Sequence, residues 1–295
     1  MCIQSLFSRS YTPKVGLTIM SCILGSLLIP ESYAAMVIEG ATSVTTKEFK
    51  VSDVLLPNGN KPISCRSLRL RSLDVIPDGK IGIHSHENRP AILSVVEGEG
   101  MQVSAWHRQP VKVGYGESYA ELNNIVHYAV NLSKTRQLTL TTFDLLDNGK
   151  ECNGKTYPQN IPLEGKLKDT HDKFFESAPK GGNDETNHPL YEVPFSKISL
   201  PAGAMPLDKR IMRARKVTLQ PGVSLPIEDY RDRPSFIYIL KGEMNISTSA
   251  IGKSILTGDQ SMNLINAQSV VIQNLSDNPL EWFVYELVSP DQESN

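Results

Sequence analysis

The residues best suited to chemistry are His84-Ser85-His86, within Gly79-Lys80-Ile81-Gly82-Ile83-His84-Ser85-His86, and His127, within Val126-His127-Tyr128-Ala129-Val130-Asn131. On a strand, residues two apart project to one face, so His84 and His86 share a side and Ser85 takes the other. Two imidazoles on one face make half a metal site, and His127 supplies a third nitrogen. A lone histidine in a strand is usually a packing residue, but three at this spacing predict one bound divalent ion. Imidazole in this number suits zinc, copper, iron or nickel better than oxygen-preferring magnesium or calcium. His107, His171 and His188 lack any partner at ligand spacing and are read as incidental.

Strands must position these side chains, and the sequence is rich in them. Short apolar and β-branched stretches such as Leu68 to Ile76, Ala91 to Val96, Gln137 to Leu145 and Ser235 to Leu240 alternate with Gly, Pro and Asn turns. Helical periodicity is nearly absent, so the fold class is mostly β, with antiparallel sheets closed or doubled to leave few open edges. The chain also repeats itself. A shift of 144 positions places Arg69, Arg71, Pro77, Arg89, Pro90, Gly98 and Glu99 on Arg213, Arg215, Pro221, Arg233, Pro234, Gly242 and Glu243. One residue of slippage later, Asn131-Leu132-Ser133 falls on Asn274-Leu275-Ser276. Two copies of one β domain are therefore expected, over residues 45–148 and 192–289. A polar linker, 149–191, separates them, with one short helix expected from Asp169 to Glu176.

The first copy resembles the cupin superfamily. In that family's first motif a glycine precedes HxH, a glutamate follows, and a glycine closes the segment, here Gly98. In its second motif a glycine leads through a turn to a histidine and then an asparagine, matched by Gly116, His127 and Asn131, while Leu122 and Asn124 replace the proline and turn glycine. The resemblance implies two cupin-type antiparallel β-barrels of the jelly-roll kind in tandem, with His84, His86 and His127 as metal ligands. The family's glutamate is missing: its position falls on Ala91, or on Pro90 by the alternative spacing. Cupin-like thiol and β-diketone dioxygenases are similar in holding iron with three histidines. Two carboxylates stand as candidate fourth ligands: Glu121, in the turn-rich segment before His127, ranked ahead of Glu87, whose strand parity points it away. Arg89 is a candidate substrate contact, although its recurrence as Arg233 favours a structural role. Tyr119 and Tyr128 are expected to pack.

In the second copy Glu228, Asp229 and Tyr230 replace His84, Ser85 and His86, and Val270 replaces His127. One carboxylate and one phenol rarely hold a metal alone. The second barrel is thus expected to be degenerate and structural, leaving one site per chain.

The resemblance implies a metal-dependent enzyme, foremost an iron-type dioxygenase of a small organic acid, phenolic or thiol compound, with no protein nucleophile required. Fe(II) is favoured, with Mn, Ni, Zn and Cu open. The competing readings are a non-catalytic, metal-dependent binder of a carboxylate or sugar acid, and a metal-dependent isomerase or lyase, because one fold hosts many chemistries.

The amino terminus carries Arg9 and Lys14, an apolar run from Val15 to Pro30, and Ser32-Tyr33-Ala34, the pattern of a signal peptide over residues 1–34. The run is shorter than the roughly 20 residues that span a bilayer, so export to the periplasm or medium is expected, with no stable membrane insertion after cleavage. Cleavage leaves Cys65 and Cys152 as the only cysteines, either a disulfide or free core residues. The formal net charge of -2, with no long run of either sign, argues against a nucleic-acid partner. A small-molecule ligand is expected, and the resemblance adds a homodimer.

Overall fold

The computed structural model describes residues 38–56, 62–86, 89–105, 109–123, 126–148, 152, 172–174, 176–179 and 183–292. The signal-peptide segment, Glu87, His107 and His171 lie outside them. Among the described residues no helix is long and apolar enough to cross a membrane.

The alternating segments form strands β1 (Ala41–Lys50), β2 (Ser67–Val75), β3 (Lys80–Ser85), β4 (Ala91–Glu97), β5 (Glu99–Ser104), β6 (Val111–Gly114), β7 (Ser118–Glu121), β8 (Val126–Asn131) and β9 (Leu138–Leu146). They continue as β10 (Glu185–Pro194), β11 (Ile211–Leu219), β12 (Ser235–Lys241), β13 (Glu243–Thr248), β14 (Gly252–Thr257), β15 (Ser261–Asn263), β16 (Val271–Gln273) and β17 (Leu280–Val288). In the first half, the order β2-β9-β4-β7 in one sheet faces β3-β8-β5-β6 in the other. The second half repeats it as β11-β17-β12-β15 against β16-β13-β14. Isolated bridges Ser224↔Gln273 and Glu228↔Val270 stand where β3 pairs with β8 in the first half. Strands that pass alternately between two antiparallel sheets in this order make a jelly roll, so each half has the fold that the cupin resemblance implies.

The repeat extends to single hydrogen bonds. The Asn131 amide donates to the carbonyls of Val75 and Arg136, and its oxygen accepts from the Ser133 amide. Asn274 makes the corresponding bonds to Leu219, Asn278 and Ser276. Gly98 and Gly242 both adopt positive φ, +84° and +87°, and a Cβ there would stand 3.0 Å from the Gln137 oxygen and 2.7 Å from the Pro279 oxygen. Only glycine satisfies both constraints cheaply, which accounts for its place between β4 and β5 and between β12 and β13.

Outer strands cross between the halves, unlike the simple division expected. β1 pairs antiparallel with β11, so it completes the sheet of the second half, although the range 45–148 begins inside it. β10, which starts within the expected linker, pairs with β2 in the first half. Each exchange covers a strand edge that would otherwise present unpaired amides. A shared apolar core including Leu70, Ile92, Phe143, Phe236, Phe283 and Tyr285 joins the halves. Phe143 stands 5.5 Å from the Tyr285 ring and 6.1 Å from that of Phe236. Cys65 and Cys152 are disulfide-bonded, with Cα atoms 5.5 Å apart. Helical residues 172–174 and 176–177 match part of the helix expected in the linker, and Phe174 stacks on Tyr128 at 5.7 Å.

Candidate metal centre

β3 delivers His84 opposite His127 of β8 in direct register, and the chain turns just beyond to present His86. The three ring centroids lie 4.4 to 5.1 Å apart. Each Nδ1 is engaged by a carbonyl oxygen at 2.8 Å: Gly82 for His84, Arg89 for His86, and the Gln102 side chain for His127. Carbonyls only accept, so each ring carries its proton on Nδ1 and bares a lone pair at Nε2. This outer shell of acceptors fixes tautomer and ring orientation, as metal-binding histidines require.

The consequence is an electrostatic conflict. His84 Nε2 and His86 Nε2 are 3.0 Å apart, yet neither has a proton to donate. Burial lowers the His84 pKa to about 4, with Arg89 and Arg71 adding repulsion. Burial also holds His86 and His127 well below the usual value, again with Arg89 opposing charge. Neutral rings with facing lone pairs are the donor arrangement a cation resolves, and these three histidines could hold a metal ion.

Glu121 closes the group. It is 1% exposed, at the end of β7, with its carboxylate oxygens 3.2 Å from His86 Nε2 and 3.5 Å from His127 Nε2. These contacts are not ordinary ion pairs, because both rings are neutral. Burial raises the Glu121 pKa to about 8 against the pull of Arg89 and Arg71. Its Oε1 and the His127 Nε2 are buried without a hydrogen-bond partner, a costly state for polar atoms unless something else occupies the space between them. The donor set of three imidazoles and one carboxylate suits a first-row transition metal.

The register explains the absent glutamate. Ala91, where the family pattern would place it, pairs directly with Glu121 across β4 and β7. Residues opposite one another on antiparallel strands share a face with Cβ atoms about 5 Å apart, so a carboxylate on either strand can reach the same point.

The group borders a cavity of about 360 Å³, also lined by Arg71, Arg89, Gln102, Ala129, Thr142 and Glu185. His188, read as incidental, sits away from it and pairs with Asp74 at 3.0 Å. The sequence reading passed over Gln102 and Arg71. A signal for Gln102 was present: the buried positions of β5 are Gly100, Gln102 and Ser104, whereas their counterparts on β13 are Met244, Ile246 and Thr248.

The same positions in the second half hold nothing that could ligate as a set. Glu228 and Val270 bridge where His84 and His127 pair, and Leu264 lies beside Ser235 as Glu121 lies beside Ala91. Leu264, Val270 and Tyr230 belong to a packed apolar core with Met244, Ile246, Ile272 and Trp282.

No family model and no curated protein matches the chain. Solved structures do match. YhaK from Escherichia coli is similar at 16% identity and a TM-score of 0.42, over 84% of this chain and 93% of that one. Oxalate decarboxylase from Lactobacillus farciminis is similar at 13% identity and a TM-score of 0.46, over 84% and 87%. Vicilin from Corylus avellana is similar at 11% identity and a TM-score of 0.45, over 75% and 74%.

Proposed function

We propose that this two-domain cupin is an exported, metal-dependent enzyme of the dioxygenase type, holding one divalent ion, iron by preference, between His84, His86, His127 and Glu121. The observation that carries the reading is the convergence of three proton-free Nε2 atoms on a buried carboxylate whose Oε1 has no partner. A bound ion of this kind supplies Lewis acidity and, with iron, one-electron chemistry toward dioxygen. The protein's own residues do the rest. Gln102 and the carbonyls of Gly82 and Arg89 hold the rings in place. Leu93, Ala129 and Ile81 give the cavity a partly apolar wall that limits water. Among the described residues, Glu185 is the only carboxylate lining the cavity besides Glu121, and it is exposed, which supports chemistry at the ion rather than at a second buried protein acid or base. The Cys65–Cys152 bond supports residence in an oxidising compartment.

The test is elemental analysis of untagged protein followed by oxygen uptake on the iron-loaded form with small acids, phenols and thiols. One equivalent of metal is expected in the parent protein, and almost none in His84→Ala or His127→Ala. Unchanged metal content in both variants sinks the site. Metal that disappears with the histidines, but no oxygen uptake with any compound, sinks the dioxygenase chemistry while leaving the site.

A further inference from the structure

The two halves form an internal control for the charges around the cavity. Each carries an arginine pair, on β2 or β11, an acid, on β9 or β17, and a further arginine just before β4 or β12. In the second half each of the three arginines has a carboxylate partner. Glu286 accepts from Arg213 at 2.8 Å and from Arg215 at 2.6 Å, and its other oxygen lies 3.4 Å from Arg233. Arg233 also pairs with Glu228, the residue that stands in place of His84, and lies 4.7 Å above the Tyr230 ring.

The first half has the same three cations, but its second carboxylate, Glu121, stands against His86 and His127 and forms no ion pair with a described arginine. Asp144 takes the place of Glu286 and is occupied by Arg69, whose Nε and Nη2 approach its oxygens at 3.0 and 2.8 Å. Arg71 donates to the Thr142 hydroxyl at 2.8 Å and keeps only a 3.9 Å contact with Asp144. Arg89 occupies the place of Arg233, but His84 has replaced the carboxylate that would face it. Among the described residues no carboxylate lies within ion-pair distance of Arg89, and both Arg71 and Arg89 line the cavity. Burial, with Arg89 as the next contribution, lowers the Arg71 pKa to about 10, as expected for two guanidiniums sharing one space.

We infer that the cavity binds a small carboxylic acid, whose carboxylate meets Arg89, supported by Arg71, and supplies the negative charge that Glu228 supplies in the second half. Planar guanidinium matches carboxylate geometry with paired hydrogen bonds, and a partly buried cation without a partner favours an anion over a neutral isostere. The volume of about 360 Å³ limits the ligand to a small molecule, with the remainder of its skeleton directed toward the histidines. This narrows the substrate class under the proposed function and rests on that reading for the chemistry, but not for the binding.

The experiment is calorimetric titration of parent protein, metal-loaded and chelator-stripped, with acetate, malonate, succinate and benzoate and with the corresponding primary amides. At least one carboxylate is expected to bind at least ten-fold more tightly than its amide. Arg89→Gln should lose that discrimination at unchanged metal content, and Arg89→Lys should keep part of it. Equal affinity for acid and amide, no binding by any of the four acids, or an Arg89→Gln variant that binds as tightly as the parent overturns the inference. The acid-to-amide comparison needs no variant, so a misfolded substitution does not obstruct it. Protein that never takes up metal but still prefers acids refutes the proposed function alone.

Discussion

Replacing Glu286 with Gln keeps the shape of a side chain at the centre of the second half and removes one charge. Glu286 is fully buried, and three guanidiniums lie within 3.4 Å of its oxygens. Among the described residues only Arg233 has another carboxylate partner, Glu228, so Arg213 and Arg215 lose their main counter-charge. Breaking a buried pair by removing one partner costs about 3–5 kcal/mol. At about 2–4 °C per kcal/mol for a body of this size, Glu286→Gln is expected to lower Tm by roughly 6–20 °C. The pH dependence adds a second readout. Burial alone would raise the Glu286 pKa, but Arg215, Arg233 and Arg213 outweigh it and hold it below the usual value. A depressed carboxylate pKa contributes stability that is complete above the unfolded value, about 4.3, and lost as pH falls through the folded one. The gap between parent and variant should therefore be full at pH 7 and shrink below about pH 4. Thermal and urea unfolding at both pH values decide the matter. A loss under about 1 kcal/mol at pH 7, or a gap unchanged in acid, refutes the claim that Glu286 neutralises this cluster.

Glu121→Ala is expected to leave a folded protein and weaken metal binding by at least about ten-fold, the lower bound known even for residues that only support ligands. Adding Ala91→Glu should restore most of the affinity, because the two positions are cross-strand partners; competition against a chelating dye measures both, and a double variant no tighter than Glu121→Ala counts against the relocated carboxylate. Cys152→Ser opens a bond spanning 87 residues of sequence. Loop-closure entropy for that length is about 4.5 kcal/mol, and measured effects are commonly about 2–4 kcal/mol. The urea midpoint should fall accordingly, and reduction of the parent protein should reproduce the fall; equal midpoints under oxidising and reducing conditions would show that the bond carries no stability.

The strands, the repeat and the three histidines were legible because each has a local signature: alternation of period two, matched Arg, Pro and Gly positions, and HxH spacing. Glu121 was legible as a candidate and no further, since its place beside His86 depends on β4 pairing with β7 in one register. The crossing of β1 and β10 was not legible at all. Both are largely exposed strands with no fully buried residue to mark a face, and their partners are remote in sequence. Arg89 recurs as Arg233, which points to structure, but the residue facing it was not weighed with it: Glu228 pairs with Arg233, and His84 stands at the equivalent position beside Arg89. Glu87 lies outside the described residues.

The same comparison accounts for the cavity in the first half. Ile246, Ile272 and Val284 fill the interior of the second barrel, while Gln102, Ala129 and Thr142 at the corresponding positions line the cavity of the first. Each change gives up apolar burial, worth about 25 cal/mol per Å², in exchange for space and polar groups. The first barrel keeps a smaller apolar core of its own, including Leu73, Val75, Leu93, Val95, Leu138 and Leu140. The outward faces of its strands add a further contact: Ile92 of β4 and Phe143 of β9 pack against Phe236 and Tyr285 of the second half. β4 also holds Ala91 in register with Glu121, and β9 holds Asp144 against Arg69. The second barrel thus packs its interior with apolar side chains, while the first divides its interior between an apolar core and the cavity that holds the histidines, Glu121 and two arginines.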